Sequence, residues 1–489
     1  MSKTAAVVGS GLGGLAAAIR LKAKGYDVDI FEALDQPGGR ASVFKKDGFT
    51  FDAGPTVITA PYLVAELFEL AGKDMRDYIE MIPVDPFYRV VYSDGSQFDY
   101  VGDEERILKE IEKISPQDVE GYKKLAKQAE KIFKVGYSEL VDHPFEKFTD
   151  MLKIAPKMIQ LKNYKSVYSL VSDYIKDERL RQAFSFQPLL IGGNPFDSTS
   201  IYLLIHWLER KWGVFYPKGG TTHMVHALVQ LFKDMGGRIH LNSPVEEILI
   251  DAHTVKGVKV NGESHLCDAV VCNSDPSFTY MNMIAPEWRK KHTDKRIKKL
   301  KPSMSLFVSY FGTKKKYDDI AHHTILLGPR YRGLLDDIFH KYTLPDDFSL
   351  YLHAPAKSDP DMAPEGKEAF YVLSPVPNQY SKADWKTLGP LYQEKILKAL
   401  DSSYLPGLLD NLELAFFITP DYFEKNLRSV AGSAFGLEPV LRQSAYFRYH
   451  NRSEDINNLF FVGASTHPGA GIPGVLNSAK VLEKVLNER

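Results

Sequence analysis

Cysteine is nearly missing from this sequence: two residues in 489, Cys267 and Cys272, both in the run CDAVVC. An odd spacing along a strand sets them on opposite faces, so they cannot easily bridge each other. No disulfide framework holds the chain, which favours a reducing compartment. Charge bias is missing as well. The 61 Lys and Arg nearly cancel the 62 Asp and Glu, which argues against a nucleic-acid partner spread over the surface and leaves only local basic patches. Nor does any apolar run approach a membrane span. Lys3 followed by AAVVGSGLGGLAAAI imitates a signal segment, but its glycines spell strand, turn and helix. The expected compartment is the cytoplasm. Internal repeats and low-complexity linkers are absent.

What is present is apolar and aromatic. Hydrophobic residues make up 44%, with 26 tyrosines and 28 phenylalanines, enough for a large core and an apolar cavity besides. The length exceeds one hydrophobic core, so two or three domains are expected. Residues 5–32 read as strand, Gly-rich turn, helix and second strand, a βαβ unit. FYRVVYSDGSQFDYV (87–101) is a hairpin around Asp94-Gly95. From about 104 to 190 the pattern is helical and lysine-rich. Residues 214–275 give a helix, the strand RIHL, a meander turning at Asn261-Gly262, and the strand ending in AVVCNSD. MSLFVSYF (304–311) alternates as a strand. The C-terminus runs strand, Gly/Pro-rich turn, and a helix from about Pro473.

The fold class expected is therefore α/β, with a discontinuous Rossmann-like domain from 1–66, 214–280 and 430–489. An antiparallel-sheet substrate domain (67–105 and 281–429) and a helical insertion (106–213) complete it.

The chemistry begins at GSGLGG, with Gly9, Gly11, Gly13 and Gly14 between a strand and a helix. Glycine lets the backbone turn tightly and approach a pyrophosphate resting on the helix N-terminus. Glu32 ends the next strand, where an acid accepts hydrogen bonds from an adenosine ribose and repels a 2′-phosphate. This is a dinucleotide site, and not one for NADP. Gly38, Gly39 and Arg40 follow, their guanidinium suited to phosphate. FDAGPT then brings Gly54, Pro55 and Thr56 back toward the cofactor.

The spacing E-x5-GGR-x11-DAGP resembles the amine-oxidase and glutathione-reductase-like flavoproteins, in which that run lines FAD. GASTHPGAGIPGVLNSAK, from Gly463 to Lys480, resembles the signature of the bacterial and fungal carotenoid desaturases, in which the last helix aims its N-terminus at the flavin. Many flavoproteins of the wider group carry an acid after the glycine corresponding to Gly463. Ala464 stands here, a departure the carotenoid desaturases share. The stretches from Phe186, His322 and Gly432 match the same family, so the resemblance runs end to end and is nearest to the bacterial phytoene desaturases that make lycopene.

That resemblance implies FAD held by the residues above together with Val245, Gly463, Ala464, Ile472, Pro473 and Gly474. It implies 15-cis-phytoene as substrate and four desaturations, each sending a hydride to flavin N5 and losing a proton from the neighbouring carbon. Oxygen or a quinone would take the electrons. A hydrocarbon offers no polar handle, so neither a metal cluster nor a catalytic triad is expected, and the scattered His206, His223, His226 and His467 read as structural or surface residues. Asp150 and Lys153, three apart on a helical pattern, are candidates to assist proton removal, against the plainer reading of a solvated salt bridge.

Two basic segments bear on where the substrate comes from. Lys147 to Lys165 holds five lysines and one acid on an amphipathic pattern, with Pro156 expected to kink or split the helix. RKKHTDKRIKKLK (Arg289 to Lys301) holds eight basic residues and one acid. They point to docking on the inner face of the cell membrane. A thirty-carbon dehydrosqualene desaturase, a carotenoid isomerase or ketolase, and a prenyl-lipid escort protein are the alternatives.

Overall fold

The strand Thr4–Val8 is buried along almost its whole length because it lies at the centre of a parallel sheet. Ala5 and Val7 face one apolar core, Ala6 and Val8 another, as the two-residue period of a strand requires. The computed structural model describes residues 2–487. In it the sheet runs Leu459–Phe461, Ala269–Cys272, Thr4–Val8, Asp27–Phe31, Arg238–His240, all parallel. Its strands come from the beginning, middle and end of the chain. Helices Leu12–Ala23, Thr221–Asp234 and Ile472–Asn487 cover one face. The meander Val245–Asp251, Thr254–Val260 and Glu263–Leu266 packs on the other, turning at Asn261-Gly262. Cys267 precedes the strand rather than lying in it, and both thiols are free.

A second sheet has seven strands, in the order Leu412–Ile418, Ser305–Thr313, Glu368–Val376, Leu350–His353, His323–Leu326, Tyr88–Val91, Gln97–Tyr100. All neighbours are antiparallel except His323–Leu326 beside Tyr88–Val91. Every residue of Ser305–Thr313 is buried because both its faces are covered. Phe307 and Phe311 pack toward helix Trp385–Ser403, whereas Leu306, Val308 and Tyr310 join the core shared with the helical segment.

That segment contains helices Glu104–Ile114, Val119–Phe133, Phe148–Gln160 and Leu204–Trp212, with shorter ones between. Asp103 caps the first, accepting from the Arg106 N–H at 2.8 Å. After Phe133 the helix loosens into a π turn, Lys134–Glu139. Helix Phe148–Gln160 continues through Pro156, so the proline does not split it. The proline forfeits one helical hydrogen bond, but none of the helix's residues is buried, so water can satisfy the freed carbonyl.

Candidate flavin and substrate cavity

The turn after the first strand is tight enough to dictate its residues. A Cβ on Gly14 would sit 2.0 Å from the Gly9 carbonyl oxygen, and one on Gly54 would sit 1.7 Å from that of Arg40. Gly11 and Gly13 line the opening itself. A Cβ on either would meet the Asn273 side chain, at 2.6 Å and 2.5 Å. At the far end, the first turn of helix Ile472–Asn487 supplies Ile472, Pro473 and Gly474, so the positive end of a 16-residue helix faces the same space.

These pieces line one cavity of about 570 Å³. Every cofactor position read from the sequence borders it except Gly14, which stands behind the turn inside the helix. Gly9, Gly11, Gly13 and Glu32 lie at one end. Gly38, Gly39, Arg40, Gly54, Pro55, Thr56 and Val245 follow, and Gly463, Ala464, Ile472, Pro473 and Gly474 close the arc.

Glu32 is buried and accepts from the Ser10 N–H and hydroxyl, both at 2.7 Å, and from the Leu34 N–H at 3.0 Å. Arg40 donates to Ser429 Oγ at 2.5 Å, while its buried Nε lacks a partner. Burial depresses the guanidinium's pKa, with Asp275 opposing. A half-buried cation with a buried, unused donor, beside glycines at a tight turn, fits the diphosphate of a dinucleotide. Thr56 Oγ1 hydrogen-bonds Tyr371 and Tyr351 at 2.7 and 2.9 Å, tying this loop to the seven-stranded sheet.

Beyond the flavin end the lining turns apolar, with Met151, Ile154, Met158, Leu189, Leu306 and Val308 among its residues. The π turn contributes Gly136 and Tyr137, an irregularity typical of functional sites. Asp150 and Lys153 do not border the cavity. They form an ion pair at 3.4 Å in which Lys153 is well exposed and Asp150 mostly covered.

The sequence reading passed over Glu209, which does line the cavity. It is fully buried and accepts from the Tyr88 hydroxyl at 2.6 Å, and burial pushes its carboxyl up to about 8. In the run IHWLERKW it looks like an ordinary surface acid. It also passed over Arg448, whose guanidinium donates to the carbonyls of Leu437, Gln443, Ala464 and Thr466 and so holds the C-terminal loop. His467 lines the cavity with neither ring nitrogen bonded, its pKa lowered to about 3 by burial and Arg448. His206 is a core residue between the hydroxyls of Tyr100 and Tyr122, and His223 and His226 lie at the surface.

Residues 12–481 match the family model of flavin-containing amine oxidoreductases. A phytoene desaturase (lycopene-forming) from Pantoea ananas is 47% identical over 488 residues, covering 99% of each chain. A 4,4'-diapophytoene desaturase (4,4'-diapolycopene-forming) from Methylomonas sp is 34% identical over 99% of this chain and 95% of its own. Among solved structures, a putrescine oxidase covers all of both chains at 13% identity with a TM-score of 0.65, a likeness of fold alone. The glycine turn, Glu32, Arg40 and the apolar chamber thus sit in one cavity of a chain that belongs to the flavin-containing amine oxidoreductases and, within them, to the phytoene desaturases, with FAD as its cofactor.

Proposed function

We propose that the protein desaturates 15-cis-phytoene to lycopene, drawing the hydrocarbon from a lipid surface. The observation that carries this is the helix Phe148–Gln160. Its inner residues Met151, Ile154 and Met158 line the cavity, while Phe148, Leu152 and Ile159 on its outside are 50–65% exposed. The wall between chamber and surface is one helix thick there, apolar on both sides. Exposed Leu441 and Phe447 continue the patch, and Tyr446 stacks edge-on against Phe148.

The energetics favour this route. Exposing a forty-carbon chain to water costs roughly 30 kcal/mol, whereas passing from lipid into an apolar chamber costs little. FAD, when bound, supplies the acceptor for the hydrogen removed. The chain's own residues hold the substrate's reacting carbons near the N-terminal turn of Ile472–Asn487 and exclude water with the Met, Leu and Val lining. A lipid-docked enzyme also meets a membrane quinone directly, with oxygen as the other acceptor. The location that follows is the inner face of the cell membrane.

Charge contributes less than the lysine count suggests. Lys157 pairs with Glu139, and Lys162 and Lys165 both pair with Asp173. In the second segment two of the eight basic residues pair among the described residues, Arg289 with Asp294 and Lys291 with Glu454. That segment still adjoins the patch, since Lys291 lies over the Tyr446 ring at 5.9 Å. Apolar insertion, at about 1 kcal/mol per half-exposed side chain, is therefore the main anchor, with electrostatic attraction secondary.

Expression in a phytoene-accumulating bacterium, followed by pigment analysis, tests the reaction. Red lycopene is expected. Persistence of phytoene, with coloured product only from the thirty-carbon substrate, would overturn the forty-carbon reading. The higher identity to a phytoene desaturase than to a diapophytoene desaturase supports it.

A further inference from the structure

Three histidines outside the flavin cavity meet in the interior. His322 and His323 open the strand His323–Leu326, and His353 ends the neighbouring strand in direct register with His323. Their exposures are 5%, 0% and 0%, and one ring nitrogen from each lies within 4.8 Å of the others. Imidazoles buried this deeply are ordinarily hydrogen-bonded at both nitrogens. Here His322 Nε2, His323 Nε2 and both nitrogens of His353 have no hydrogen-bond partner.

The bonds that do exist are the ones a metal ligand uses. His322 Nδ1 contacts Ser358 Oγ at 2.7 Å, and His323 Nδ1 contacts the Tyr351 hydroxyl at 2.7 Å. Each fixes its ring and leaves Nε2 without a partner among the described residues, as the outer-shell bond of a metal-bound histidine does. Asp52 Oδ2 lies 3.6 Å from His353 Nε2 and, while accepting from the Tyr216 hydroxyl at 2.8 Å, offers the cluster an oxygen.

We propose that His322, His323 and His353, supported by Asp52, form a buried site for one divalent transition-metal ion, with zinc the ion their chemistry favours. Imidazole and carboxylate are zinc ligands, and with bonds of about 2.0–2.1 Å the nitrogens of a tetrahedral site stand about 3.4 Å apart. The nitrogens lie within 4.8 Å of one another, so binding requires the three rings to draw closer. The ion would cross-link the seven-stranded sheet to the end of strand Phe49–Asp52, the segment leading into the flavin-lining residues Gly54 to Thr56. The Thr56–Tyr351–His323 hydrogen-bond chain makes the same connection. The role is structural, and it is independent of which hydrocarbon the cavity accepts.

The test is elemental analysis of the purified, FAD-loaded full-length protein after loading with excess Zn²⁺ and desalting. About one zinc per chain is expected, with ligand-field bands of tetrahedral intensity when Co²⁺ replaces it. His353→Ala and the milder His323→Gln should each lose most of the metal while FAD remains stoichiometric. Wild-type protein that carries FAD but retains less than about a tenth of an equivalent would overturn the site and leave the cage to water. Unchanged metal content in both variants would overturn it too, because the ion would then be bound elsewhere.

Discussion

Replacing Glu209 by glutamine removes one ionisation from the apolar chamber while keeping an oxygen for the Tyr88 hydroxyl. Burial holds the folded carboxyl at about 8, against an ordinary 4.5. A raised carboxyl pKa means that the folded protein binds the extra proton between those values, so stability falls as pH rises through that window and levels off above 8. Over the whole window the penalty is at most about 5 kcal/mol, of which about 2.7 kcal/mol falls between pH 6 and pH 9. At roughly 2 cal/mol/K of unfolding entropy per residue, a chain of 489 residues has about 1 kcal/mol per kelvin, so the expected difference is about 3 °C. Thermal unfolding of the FAD-loaded protein, followed by flavin fluorescence, reads it. The melting temperature of Glu209→Gln, relative to the parent, should rise by that amount from pH 6 to pH 9. Identical pH trends in parent and variant would show that Glu209 is ionised at neutral pH and that the chamber is wetter than its lining implies.

Gly11→Val should yield colourless protein, since even a Cβ would sit 2.6 Å from Asn273 Nδ2, and flavin absorbance of the purified variant checks this. Asp150→Asn should leave turnover unchanged because the pair lies outside the cavity lining, and a tenfold loss with FAD retained would return it to the chemistry. Replacing Phe148, Leu152 and Ile159 together by serine should weaken binding to liposomes by roughly 100-fold, at about 1 kcal/mol each. Flotation assays read that loss, and unchanged flotation would refute insertion. Raising salt should loosen the wild type only modestly, as most of the segment's lysines are already paired.

The flavin end was legible because its chemistry is local. A tight turn, an acid at a strand end and a close backbone approach each leave a mark within a few residues, so Gly9 to Glu32 and Gly54 to Thr56 could be placed from spacing. The alternating and continuous apolar runs likewise marked the strands Thr4–Val8, Ala269–Cys272 and Ser305–Thr313. The substrate end was not legible, because an apolar chamber is assembled from side chains far apart in sequence, such as Met151, Leu189 and Leu306, each also a plausible core residue. His353 lies thirty positions from His323, and only the strand pairing brings them together. The paired His322-His323 was the one available signal. Pairing was illegible for a related reason: the lysines of the first segment read as free until partners such as Glu139 and Asp173 are located.

The places where local rules fail are informative in themselves. A proline sits inside helix Phe148–Gln160, and a π turn interrupts the preceding helix. Both are costly in a regular helix, and both occur in elements that line the cavity. Natural sequences concentrate such violations where function demands a shape that regular packing does not give. The π turn sets Gly136 and Tyr137 against the chamber. The proline-bearing helix carries no buried residue, so packing contributes little to holding it in place. On the proposed reading, such a wall is the element best able to part for a long hydrocarbon, and lipid would cover its exposed outer residues Phe148, Leu152 and Ile159. Substrate entry and lipid docking would then be coupled through this one helix, whose thirteen residues are amphipathic and unburied.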